Sequence, residues 1–348
     1  MYRWTQCVSL LFLLSRIACA DTGQNIDPLF ASDDLLHIAI FAPVSTIMEQ
    51  RPIEEYVPGK LTYTESDGRI VEFDIGLRTR GRFRRQVETC RFAPLRLNFK
   101  KSQTTATIFD NQDKLKIITH CQNSNLRYQQ SVVNEYLAYR VLNILTDFSF
   151  RVRLVNAKYI DSDNGNKEIE NFAVLIEHKD RLAKRTDVPP HVASRITIQQ
   201  LVPEHAALTG LFHYFIGNTD FSPIATGPGE DCCHNHELFG NDEGLLHSVP
   251  FDFDMSGFVD APHSVPNPRF RLGSVRDRLY RGRCVHNEYL PDAVDAFLRN
   301  REAIDALLES DQNLTRTTRR SLTRFVDDFY KALDSPKDIQ KKLVENCI

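Results

Sequence analysis

Apolar and polar residues alternate in short runs through the first half of the chain and recur at helical spacing through much of the second. Residues 37–41 read as a first strand. After a turn at Pro58-Gly59, runs 61–64 and 70–77 are joined by Ser66-Asp67-Gly68, and Asp-Gly between β-rich runs predicts a hairpin. Leu95, Leu97 and Phe99 alternate with Arg96, Asn98 and Lys100, which predicts a half-buried strand with a basic outer face. Residues 114–119 continue the sheet.

Val132, Val133, Tyr136, Leu137, Val141 and Leu142 form a helical stripe within 129–145, with Glu135 inside it. Strands at 151–160 and 171–178 flank the turn-forming run 161–166. The first half therefore reads as a mainly antiparallel sheet carrying one long helix. Past Pro189-Pro190 the pattern turns helical, at 197–201 and then 204–216 after Pro203. A loop over 219–244, a strand over 245–253, a proline-punctuated loop and helices from 291 onward complete the reading.

Composition narrows the class. The 348 residues are 42% hydrophobic with a formal charge of -3, ordinary for a folded chain and too acidic for bulk attraction to nucleic acid. Residues 1–20 carry Arg3, a short apolar core and Ala18-Cys19-Ala20, the pattern of a signal peptide cleaved after Ala20. That core is well short of the roughly 20 residues a membrane span needs. The expectation is a secreted or periplasmic protein with no membrane span. Six of the eight cysteines lie beyond residue 20, which suggests disulfides among 15 formal pairings. Cys90 with Cys121 is the favoured first pair. Cys232 and Cys233 are expected to bond to Cys284 and Cys347, since a bridge between neighbours is strained.

The chemistry concentrates between residues 215 and 254. Asp220 follows a helix in F-I-G-N-T-D-F, Asn235 stands in C-C-H-N-H, and Asp252 and Asp254 stand in V-P-F-D-F-D. One acid to orient a nucleophile, then an amide and acids to hold a hard cation, is the order that Mg-dependent phosphoryl transfer uses. Asp252 and Asp254 share one face of the expected strand, opposite Phe251 and Phe253. The plainer alternatives are a turn-forming Asp220, arginine partners for the acid pair, and structural disulfides at Cys232 and Cys233 in place of a zinc site.

Four stretches, in this order, resemble the spore-coat protein H (CotH) kinase-like family: Arg80-Gly81-Arg82 with P-L-R-L-N-F-K, then F-A-V-L-I-E-H-K-D-R-L, G-N-T-D and V-P-F-D-F-D. The resemblance covers about residues 75–260. It lacks the G-x-G-x-x-G and H-R-D signatures of ordinary kinases. It implies an α+β, two-lobed protein-kinase-like architecture, with an antiparallel β-rich N-terminal lobe (21–178) carrying one long helix and a mainly helical C-terminal lobe (179–348). It further implies Asp220 as the catalytic acid, Asn235, Asp252 and Asp254 at Mg²⁺, and Ile176 and Glu177 beside the adenine of ATP or another nucleotide. The basic strand face at Arg96 and Lys100 is expected to meet the phosphates across the cleft, with Glu135 on the long helix orienting the cation. The acceptor is a protein or small hydroxyl compound. An inactive binding protein of the envelope and a metal-dependent phosphohydrolase are the competing expectations.

Overall fold

The computed structural model describes residues 26–227 and 230–348; the expected signal segment lies outside the described residues. The first half is built from β1 (Leu36–Ala42), helix α1 (Val44–Gln50), β2 (Val57–Thr64), β3 (Ile70–Thr79), β4 (Leu95–Phe99), the single turn α2 (Lys101–Thr104), β5 (Lys114–Ile118), the long helix α3 (Leu126–Leu145), β6 (Val152–Asp161) and β7 (Lys167–Ile176). The seven strands close into a barrel in the order β1-β2-β3-β4-β5-β7-β6. Six pairings are antiparallel, and β1 closes the ring by running parallel to β6, with Leu36 opposite Val155.

This closure overturns the expected two-lobed, kinase-like architecture. The sheet is a mixed barrel with no free edge, not an open antiparallel lobe. Period-two alternation reports which face of a strand is buried, but not whether the first strand finds a partner far along the chain. Alternate residues fill the interior: Ile38 and Ile40 from β1, Leu61 from β2, Phe73 and Ile75 from β3, Leu97 from β4, Leu115 and Ile117 from β5. The hairpin turn forms as expected, with Gly68 at φ +85° and its N–H donated to the Glu65 carbonyl. Pro58 and Gly59, read as a turn, lie inside β2.

The second half contains α4 (Lys179–Thr186), β8 (Pro190–His191), α5 (Pro203–Ile216), β9 (His236–Phe239), β10 (His247–Pro250), α6 (Leu290–Arg299), α7 (Arg301–Ser310), α8 (Arg316–Lys331) and α9 (Pro336–Lys342). The three short strands pair antiparallel in the order β10-β9-β8. Helix α5 opens on Pro203, where a missing N–H is harmless, and stops at Gly217 in the left-handed region. Helix α3 is buried on almost every side, because it packs on β6 and β7 while its other face joins the core of α5 to α8. That core centres on Phe215, Phe297 and Phe329, with ring centroids 4.9–5.3 Å apart.

Cys90 bonds to Cys121 as expected, whereas Cys232 bonds to Cys233 and Cys284 to Cys347. The expected cross-links between the last two pairs are therefore corrected. The C-terminus explains the choice: Ile348 N–H donates to the Gly282 carbonyl and Cys284 N–H to the Ile348 carbonyl, which holds Cys347 against Cys284. Cys232 is tied elsewhere, to the Ala193 carbonyl.

Candidate functional site

Glu135 and Tyr139 are one helical turn apart on α3 and so face the same way, toward the segment after β10. There the expected strand stops early. Pro250 is the last paired residue, and Asp252 adopts a left-handed backbone at φ +63°, so F-D-F-D lies beyond the ladder. Asp252 N–H donates to the Tyr139 hydroxyl oxygen at 2.9 Å, and Phe253 packs on the Tyr139 ring at 4.5 Å. Those two contacts fix both flanking acids beside Glu135.

The Glu135 side chain is 2% exposed; among the described residues its Oε1 has no hydrogen-bond partner, and its Oε2 lies 3.9 Å from Arg84 Nη1. Arg84, from the segment after β3, also places Nε 3.8 Å from Asp254 Oδ2 and donates to the Thr119 carbonyl. Burial, then the neighbouring Asp254, pushes the Glu135 carboxyl well above its ordinary range. Asp252 is raised for the same two reasons. Burial also raises Asp254, but the hydrogen bond from His263 Nε2 at 3.1 Å and the charges of Arg84 and Arg80 outweigh it, and its pKa is lowered. Lys116 on β5 completes the surround. Its ammonium is drawn down to about 8, chiefly by burial and then by Arg80, and lies 4.4 Å over the Phe251 ring and 3.9 Å from Glu237.

A second group adjoins the first. Asp220 N–H donates to Asn218 Oδ1 at 2.8 Å just past the Gly217 cap. Asn235 Nδ2 donates to the Asp220 carbonyl at 2.7 Å and to Oδ2 at 3.2 Å, while the Asn235 carbonyl accepts from Phe251 N–H at 2.9 Å. Asn235 thus ties Asp220 to the residue before Asp252. His234 Nε2 lies 2.8 Å from Asp220 Oδ1, and that hydrogen bond raises the His234 pKa, with the charges of Asp220 and Asp252 adding to it. Asp220 and His234 open on a cavity of about 690 Å³ shared with Arg82, Arg269, Phe270 and Arg281.

Glu135, Asp252 and Asp254 therefore meet, and so do Asp220 and Asn235. The other expected ligand residues lie apart. Lys100 is exposed on the barrel wall, 3.9 Å from Asp74. Arg96 on β4 stands at the fringe, opposite Lys116 in register and 3.4 Å from His178. Ile176 is a core residue at the end of β7. Glu177 is clasped by Arg185 at 3.0 and 3.2 Å and accepts from Arg151 N–H at 3.0 Å, which commits its carboxylate to fastening α4 onto β6. Arg84, Lys116, Tyr139, His234 and His263 join the site without having been singled out for it. The period-two pattern of β5 signalled Lys116, and helical spacing from Glu135 signalled Tyr139; Arg84 and His263 carried no local signal.

No protein-family model matches the chain, and no curated protein sequence matches it. The donor set suits a hard cation only in part. Among the described residues, no three carboxylates bring ligand oxygens within 4.8 Å of one another. Mg²⁺ needs no such cage, since it commonly takes one or two carboxylates and completes its octahedron with water and phosphate oxygens. Burial and the repulsion of three acids held together raise the pKa of Glu135 and Asp252, and a bound cation would offset that repulsion.

Proposed function

We propose that the chain is an exported phosphotransferase that moves phosphate from a Mg-nucleotide to a hydroxyl on a protein or small molecule. The observation that carries the reading is the gathering of Glu135, Asp252 and Asp254 around Arg84, adjoining the Asp220 group at the cavity. The order of short motifs that resembles the CotH kinase-like family supports the chemistry, while the barrel gives it a different frame. Three disulfides support export.

Asp252 and Asp254 are the residues to hold Mg²⁺, which when bound neutralises charge on the transferring phosphoryl group. Arg84 and Lys116 face that position from the barrel side and balance the acids. Asp220, held by Asn235, accepts the proton of an acceptor hydroxyl seated in the cavity, and His234 orients its carboxylate. Glu135 fixes Arg84 between the two groups.

Thermal melting with Mg-ATP tests the binding half. A ligand at about 100 times its Kd stabilises the native state by about 2.7 kcal/mol, and Asp252→Ala should remove that gain. Labelled ATP tests the transfer half: wild type incorporates phosphate and Asp220→Ala does not. Free phosphate released without an acceptor would assign a phosphohydrolase instead. No shift with any nucleotide would leave a binding protein.

A further inference from the structure

We infer that Cys90, Cys121 and His263 become, once the Cys90–Cys121 disulfide is reduced, a Cys₂His site for a thiophilic divalent cation of the zinc class. Both sulfurs and a ring nitrogen of His263 already lie within 4.8 Å of one another. All three side chains are buried, that of His263 to within 5% of full exclusion from solvent.

The geometry of the imidazole carries the argument. Its Nε2 lies 3.1 Å from the Asp254 carboxylate. Nδ1 is buried and has no hydrogen-bond partner among the described residues. A histidine with one nitrogen donated to a carboxylate and the other free is the arrangement that orients imidazole ligands on metals. A disulfide beside it offers no anionic ligand, whereas two thiolates do.

A dithiol reductant balances the conversion. Its two thiol hydrogens and two electrons pass to Cys90 and Cys121 as the S–S bond breaks, and it leaves as its own disulfide. The cation then displaces both thiol protons to solvent. Zinc–sulfur bonds of about 2.3 Å and zinc–nitrogen bonds of about 2.0 Å set tetrahedral ligand atoms about 3.5–3.8 Å apart, so the two sulfurs, bonded to each other now, move apart on reduction while the ring nitrogen is already within reach. The fourth position is left to water. Because Asp254 steadies His263, a cation here also fixes one acid of the neighbouring cluster. The inference stands on these residues whether or not the neighbouring cluster transfers phosphate.

Cobalt(II) serves as the probe, with the full chain carrying Cys232→Ser, Cys233→Ser, Cys284→Ser and Cys347→Ser to remove the sulfurs of the other two disulfides. The chain is reduced by a phosphine, since a dithiol would itself take up the probe, and far-UV circular dichroism follows the fold. The expected result is one equivalent of cobalt with a thiolate charge-transfer band, displaced by Zn²⁺ and absent from the oxidised chain. Asp254→Asn should weaken binding about 10–100-fold, and His263→Ala should weaken it more. A reduced, folded chain that takes up no cobalt overturns the inference. So does binding that His263→Ala leaves unchanged, or binding seen only after reduction has unfolded the chain.

Discussion

Replacing Glu135 by glutamine keeps the shape of the side chain and removes a buried group that can ionise, one whose Oε1 has no hydrogen-bond partner among the described residues. Burial and Asp254 raise its folded pKa above the unfolded value, so the native state favours the protonated form. The stability this confers is complete below the unfolded carboxyl pKa of about 4.3 and is lost as pH rises through the folded pKa. At alkaline pH the wild type carries a buried charge, and since a neutral unsatisfied group already costs about 1–3 kcal/mol and a charge more, the penalty is at least about that. Unfolding entropy of about 2.1 cal/mol/K per residue over roughly 320 residues gives about 0.7 kcal/mol per degree. Glu135→Gln should therefore melt at least about 1.5–4 °C higher than wild type at alkaline pH and within error of it near pH 4. Calorimetry across that pH range measures the difference directly. If the glutamine variant instead melts lower at alkaline pH, Arg84 at 3.9 Å is a net stabilising partner and the argument from an unsatisfied charge is wrong.

Arg185→Ala strips the Glu177 carboxylate of its buried partner and should destabilise by about 3–5 kcal/mol in urea unfolding; a loss under 1 kcal/mol would return Glu177 to the list of free ligands. Asp220→Asn should lower the His234 pKa read by NMR, and an unchanged titration would separate the pair. Because that pKa is raised on folding, the stability His234 confers is present below its unfolded value of about 6.5 and fades as pH climbs through the folded one. Lys116, near 8, should be acylated ahead of the exposed Lys114 at mildly alkaline pH in peptide mapping, and equal labelling would refute its depressed basicity. Gly257→Ala drives a methyl to 2.7 Å from backbone atoms of Val275 and Arg276, so a loss of about 1–3 kcal/mol is expected on thermal melting, and a neutral result would mean that segment yields freely.

The strands were legible because each has one apolar face, as in L-R-L-N-F. Closure was not, because it depends on accumulated twist and on a parallel contact between β1 and β6 that leaves no local mark. Helix α4 shows why the partner of Glu177 was not legible. In K-D-R-L-A-K-R-T only Leu182 and Arg185 are buried, which leaves a faint helical stripe, and the arginine that holds Glu177 stands eight residues away on it. Asp252 and Asp254 were singled out by their alternation, although a left-handed backbone at Asp252 and the Tyr139 hydroxyl hold that segment in place of a ladder. Asp220 and Asn235 were placed by order along the chain, and the hydrogen bonds between them involve backbone positions that composition does not reveal. The vicinal disulfide ran against expectation because the C-terminal residues supply Cys284 with a nearer partner.

The ring of strands also dictates a sequence of events during synthesis. Leu36 waits for Val155, about 119 residues later, and β5 waits for β7, the last of the seven to emerge. Until residue 176 is available, a growing chain exposes two unpaired strand edges, each a template for joining another molecule. Distant pairings of this kind also slow folding. A translational pause between residues 118 and 167 would prolong that exposure, so the aggregation hazard of this molecule belongs to its half-made state and disappears with the final strand.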